Sequence, residues 1–191
     1  IDRIAVDTGP GSFTGTRIGV ATARCLGHAL GVPVYTARSV ELLHGAARRA
    51  LRRSERHRTI LAAVESKRDE MFVAPYTWLG CECRQPFLLA YGDAEEFARC
   101  YEGALAVGAP WRSPAIEGDP WRFVDRGDLA WDYPEAVELL VQAQEGKAGP
   151  PSEALPTYVR VSQPEAKAGA GPRPWRPPGV RIRPMEESDL D

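Results

Sequence analysis

No apolar run in this 191-residue chain approaches the roughly 20 residues a membrane-spanning helix needs. Its opening also lacks the charged, apolar and small-residue succession of a secretory leader. Cysteine is scarce, with four residues (Cys25, Cys81, Cys83, Cys100) and no second pair at zinc spacing. A reducing, cytoplasmic setting with free thiols follows as the expectation, and no metal site is expected. The three histidines, His28, His44 and His57, are scattered, with no carboxylate or cysteine at ligand spacing. No carboxylate pair is placed for general acid–base work, and Glu95-Glu96 reads as ordinary surface charge. No catalytic residue is therefore assigned. Charge of one sign is also lacking overall, at a formal net −2.

That near-neutral total hides a gradient. Residues 1–60 carry 10 Arg and Lys against 4 Asp and Glu, whereas residues 61–154 carry 8 against 17. The first third could thus face phosphates or an acidic partner. Its densest part, Arg48 to Arg58, holds six arginines in eleven residues. Arg48, Arg49, Arg52, Arg53 and Arg56 are candidates for RNA contact, against the commoner meaning of a solvated helix end.

Strand-like and helix-like segments alternate. "IDRIAV" reads as a strand entering a Gly-Pro-Gly turn, and Thr14 to about Leu30 as a helix stopped by Gly31 and Pro33. "VPVYTA" is a second strand. "SVELLHGAARRALRR" is a second helix, with Ser39 as its cap and Leu42, Leu43, Ala46, Ala47 and Leu51 on the apolar face. "TILAAVESKRDEMFVAPYTW" predicts a hairpin turning over Ser66–Glu70. A short helix capped at Asp93 follows, then one with Pro134 in its first turn and Gly146 past its end, then a short strand in "LPTYVRV". Trp111, Trp121 and Trp131 lie in Pro- and Asp-rich connections and are expected to cover a core. Residues 164–179, rich in Pro, Ala and Gly, read as a linker. The fold class is α/β.

The stretch "DTGPGSFTGTRIG" holds the main candidate site. Gly9, Gly11, Ser12 and Thr14 could receive an anion or nucleotide at a helix N-terminus. However, the Walker spacing is one residue short and Thr16-Arg17 stands where its lysine would be. A glycine turn with a helix cap is the plainer alternative. Along the helix, Gly15, Gly19, Ala23 and Gly27 recur every four residues, making a stripe nearly free of side chains, flanked by Ile18, Thr22 and Leu26. Each helical Gly costs about 1 kcal/mol against Ala, so packing must offset it. The offset could come from the chain's own sheet or from a helix of another protein, and spacing alone does not choose.

"IAVDTGPGSFTGTRIGVATARCLGHALGVPV" closely resembles the signature of the bacterial TsaB (YeaZ) family, and "SVELL", "ILAAVESKRDEMFVAPY" and "ALPTYVR" continue the likeness over roughly residues 1–166. The resemblance implies an actin/Hsp70/sugar-kinase fold of RNase-H-like lobes, with residues 1–60 as an incomplete first lobe and 61–163 as the second. It also implies a non-catalytic subunit that pairs with a TsaD-like protein and a TsaE-like ATPase to make N6-threonylcarbamoyladenosine at position 37 of tRNA. ATP and metal then belong to the partner subunits, tRNA contact is indirect or weak, and homodimers are the alternative assembly. The interface residues carried over are Gly15, Ile18, Gly19, Thr22, Ala23, Leu26 and Gly27.

Two departures stand out. The strands that precede this stretch in the family are absent, and the chain reads as cut at both ends. Glu65-Ser66-Lys67-Arg68-Asp69-Glu70 replaces the usual D-A-R-R-G-E turn. Finally, "VRIRPMEESDLD" (residues 180–191) resembles the start of a RimI-type GNAT acetyltransferase, which suggests a fusion and an alternative role as the targeting part of an N-acetylating protein.

Overall fold

The computed structural model describes residues 1–55, 57–67, 69–77, 80–81 and 86–159. Arg56, the linker at 164–179 and the segment 180–191 lie outside them, as do Arg68 and Cys83.

Two sheets share one chain. The first is a parallel pair, β1 (Ile4–Asp7) and β2 (Val34–Ala37), aligned with Ile4 opposite Val34 and Asp7 opposite Ala37. The helix α1 (Phe13–Leu30) joins them as a crossover. It stops because Gly31 takes the left-handed conformation at φ 64°, which a glycine adopts without strain. The helix α2 (Ser39–Ala50) then leads to the second sheet.

That sheet has the order β5-β4-β3-β7-β8, from Gly80–Cys81, Glu70–Thr77, Ile60–Lys67, Leu105–Val107 and Asp125–Arg126 respectively. β6 (Phe87–Ala90) pairs with the first half of β4. β3 and β4 are antiparallel, whereas β7 lies parallel to β3. Both faces are covered, so alternate residues of β3 enter different cores. Leu61 and Ala63 meet Met71, Leu89, Phe97 and Trp111, while Ile60, Ala62 and Val64 join a core with Val40, Leu43 and Ala47 of α2. Trp111 is buried, and its indole N–H donates to the Leu61 carbonyl at 3.1 Å. It fills the core it shares with Leu61 and Phe97, as its position among connections led one to expect.

The short α3 (Ala94–Arg99) packs on that face, and α4 (Ala136–Glu145) returns to the first sheet and to α2. A strap follows α4. Gly149 bridges to Val34, Pro151 lies against Gly27, Ala154 is buried with Val6, Val20 and Ala23, and the Thr157 amide donates to the Thr8 carbonyl at 2.7 Å. Residues 136–158, expected in the second lobe, thus complete the packing around the first sheet.

Several local expectations change. Arg38, not Ser39, precedes the first turn of α2, and the Glu41 carboxylate accepts its amide at 2.7 Å. The Ser39 hydroxyl is drawn away by a stronger acceptor, the Asp7 carboxylate. α2 ends at Ala50, where Leu51 turns extended at ψ 135° to reach the core. The hairpin is tighter than Ser66–Glu70, because Lys67 pairs with Glu70 after a register shift and Asp69 takes φ 69°. Pro134 precedes α4 rather than sitting in its first turn, and Gly146 ends it in an extended conformation. Residues 155–159 form no strand, since the Thr157 hydrogen bond is an isolated tie to the glycine loop.

Candidate functional site

The glycine loop runs from the end of β1 to α1. The Asp7 carboxylate closes its throat, accepting from the Gly9 amide at 2.8 Å and from the Ser39 hydroxyl at 2.8 and 2.9 Å. Burial pushes the Asp7 carboxyl above its ordinary pKa, although the Gly9 and Ser39 donors oppose that shift. Gly9 takes φ 88°, and its carbonyl accepts from the Ser39 amide at 2.9 Å. The Gly9–Pro10 peptide is cis. Thr8 is buried, with its hydroxyl on the Ala37 carbonyl and 3.1 Å from the Thr157 hydroxyl.

Of the four anion candidates, only Gly9 is buried, and its N–H is committed to Asp7. Gly11, Ser12 and Thr14 are exposed, and the Ser12 hydroxyl accepts from the Gly15 amide at 3.3 Å, a helix cap. The Asp7 carboxylate at the throat takes up the Gly9 amide, and the Gly15 and Thr16 amides are engaged on Ser12. The geometry is that of a braced turn.

α1 divides the seven interface candidates. Ala23 and Gly27 are buried, and a Cβ at Gly27 would lie 2.8 Å from both Pro151 Cγ and Val34 Cγ2. Gly19 is half-buried above Val6, and Gly15 is exposed. At its deep end, then, the small-residue stripe takes the chain's own strap and strand rather than a foreign helix. The side chains one position before the stripe do face outward. Ile18 is 62% exposed, Leu26 48% and Leu30 51%, with Thr22 exposed between them. These four are spaced by four residues and form one continuous ridge. Every ionisable side chain on α1 apart from Cys25 is basic: Arg17, Arg24 and His28.

At the N-terminal end of that helix the Arg17 guanidinium lies 3.8 Å from the centre of the Phe13 ring, and its Nε donates to the Tyr158 hydroxyl at 2.8 Å. Phe13 and Tyr158 are about half exposed. This cluster was not foreseen, because Tyr158 is far from Arg17 in sequence and only the strap brings them together.

The arginine-rich stretch is dispersed. Arg49 pairs with the buried Glu138 carboxylate of α4. Arg58 donates to the Gly103 and Ala104 carbonyls and to Asp125. Arg48, Arg52 and Arg53 are exposed.

Residues 1–87 match the sequence profile of the family described as TsaD, tRNA N6-adenosine threonylcarbamoyltransferase. An uncharacterized protein of Mycobacterium tuberculosis is 49% identical over 45 residues, which is 24% of this chain and 21% of that protein. One from Mycobacterium leprae is 49% identical over 43 residues, 22% of this chain and 12% of that protein. The matched stretch thus spans about a fifth or less of those relatives' lengths. In structure the chain is similar to YeaZ from Pseudomonas aeruginosa, with a TM-score of 0.59 at 23% identity, covering 83% of this chain and 73% of that one. A second Pseudomonas aeruginosa structure, described as similar to peptidase YEAZ, gives a TM-score of 0.61 at 24% identity over 84% and 74%. The fold is that of YeaZ, an α/β architecture of the actin/Hsp70/sugar-kinase type.

Proposed function

We propose that this chain, a TsaD/YeaZ-type protein with the YeaZ fold, is a non-catalytic partner subunit in threonylcarbamoyl modification of tRNA. It pairs with a TsaD-like subunit, joined by a TsaE-like ATPase, and leaves ATP, metal and group transfer to them. The observation that carries this reading is the exposed apolar ridge Ile18–Thr22–Leu26–Leu30. A ridge of this kind on a surface helix packs into the groove of another helix at an axial separation of about 8–10 Å. Gly15 and Gly19 beside it leave room for close approach, whereas Ala23 and Gly27 support the helix from below. The basic residues of α1 suit a partner helix bearing carboxylates. Any RNA contact by Arg48, Arg52 and Arg53 is secondary, and cytoplasmic placement belongs to the same reading.

The test is light scattering of the chain with the TsaD-like subunit of the same genome, alongside measurement of tRNA modification by the reconstituted set. A one-to-one complex is expected, abolished by Ile18→Glu with Leu26→Glu while the fold is retained. A complex indifferent to both substitutions would sink the ridge as the interface. A chain that ignores the partner entirely would sink the subunit reading, as would a homodimer that persists in its presence.

A further inference from the structure

The second lobe carries a small basic concavity away from α1, about 190 Å³ in volume, between Trp111, Arg112, Ile116, Pro120, Trp121 and Arg126. That is room for several waters or for a small organic acid. Its walls are fixed by the fold. Trp111 is locked in the core by its hydrogen bond to Leu61. The Arg112 guanidinium is held on two sides, with Nε on Asp132 at 2.8 Å and Nη2 on the Gly127 carbonyl at 2.5 Å. Glu95 pins the facing loop, accepting from the Asp119 amide at 2.9 Å.

The opposite cation is set differently. The Arg126 guanidinium lies 4.5 Å from the centre of the Trp121 ring and has no carboxylate partner among the described residues. An exposed arginine laid on an indole keeps its outer N–H groups available, and stacking restrains its planar fork before a ligand arrives. Arg112, paired with Asp132, and Arg126 therefore share one opening with the half-buried Ile116 and Trp121, in a region where acids outnumber bases. We propose that this concavity binds a small amphipathic carboxylate, its head on Arg126 and the free edge of Arg112 and its apolar body on Ile116 and Trp121. A carboxylate matches a guanidinium fork with two parallel hydrogen bonds, and contact with Ile116 and Trp121 adds nothing for an anion without a body.

The probe is benzoate, titrated into the 191-residue chain to about 50 mM at constant ionic strength, with the tryptophan indole N–H signals followed by NMR. A saturable shift of the Trp121 signal is expected, weakened at least tenfold by Arg126→Gln with the Trp111 signal unmoved by the substitution. Benzamide, the neutral analogue, and inorganic phosphate, the headless anion, should each bind at least tenfold more weakly. A shift linear in benzoate overturns the site. Equal binding of benzamide overturns the role of charge, and equal binding of phosphate overturns the amphipathic class.

Discussion

Pro151 rests on Gly27. A Cβ added to that glycine would fall 2.8 Å from the proline's Cγ and equally close to Val34 Cγ2, closer than side chains pack. The contact explains why α1 tolerates a residue that weakens helices. The last described segment runs along the helix from Gly27 to Phe13 and needs the space that a side chain would take.

Gly19 and Gly27 should consequently respond in opposite directions to alanine. At Gly19 the nearest atom to a new Cβ is Val6 Cγ2 at 3.9 Å, ordinary contact. Gly19→Ala should gain roughly 0.5–1 kcal/mol from helix propensity alone. Gly27→Ala earns the same propensity but forces a rigid proline ring and a buried valine aside, an overpacking cost of about 1–3 kcal/mol. Urea denaturation should therefore place the midpoint of Gly19→Ala above the parent and that of Gly27→Ala below it. Equal gains in both would show that the strap does not hold to the helix in solution.

Acid should weaken the fold through His44. Its ring stacks on Tyr76 at 4.4 Å, and its Nε2 is buried without a hydrogen-bond partner among the described residues. Burial, reinforced by the Arg48 charge, lowers its pKa from 6.5 to about 4. The unfolded chain therefore binds the proton between pH 6.5 and 4 while the native chain does not, so stability is full above pH 6.5 and drains away as pH falls. The loss approaches about 3 kcal/mol by pH 4. Asp7 acts with the opposite sign, because its raised pKa lets the native state take up a proton first, but in a window that starts from 3.8. His44→Phe should flatten the slope between pH 4 and 6.5 in a series of denaturant midpoints. An unchanged slope would place the acid sensitivity elsewhere.

The parts legible in the sequence were those whose cause is local. α1 follows from a proline-free run closed by Gly31, β1 and β2 from short β-branched segments, and the two cores from apolar alternation in β3 and β4. What stayed hidden depends on partners distant in the chain. Ser39 looked like a cap because nothing nearby reveals that Asp7 awaits its hydroxyl. The small-residue stripe was readable, but its orientation was not, because its neighbours Pro151 and Ala154 lie more than 120 residues away. Glu138, inside "PEAVELL", has the look of a surface acid on an amphipathic helix. Its hints are Gln142, four residues on, and Gly45, where a Cβ would collide with both side chains.

Glu138 is nonetheless buried at 4% exposure, and its partners tie α4 to α2. One oxygen pairs with Arg49, and the other accepts from Gln142 Nε2 at 2.7 Å; the same nitrogen donates to the Glu41 carbonyl at 3.1 Å. Removing the cation should do more harm than removing the charge it neutralises. Arg49→Ala leaves a buried carboxylate unpaired, at a cost of about 3 kcal/mol. Glu138→Gln keeps an acceptor for Gln142 and leaves a half-exposed arginine that water can solvate, at a cost of about 1 kcal/mol. The double variant Arg49→Ala/Glu138→Gln should then be more stable than Arg49→Ala alone, because the second substitution removes the stranded charge. Additive losses in the double variant would mean that Arg49 contributes packing rather than charge to the contact between α2 and α4.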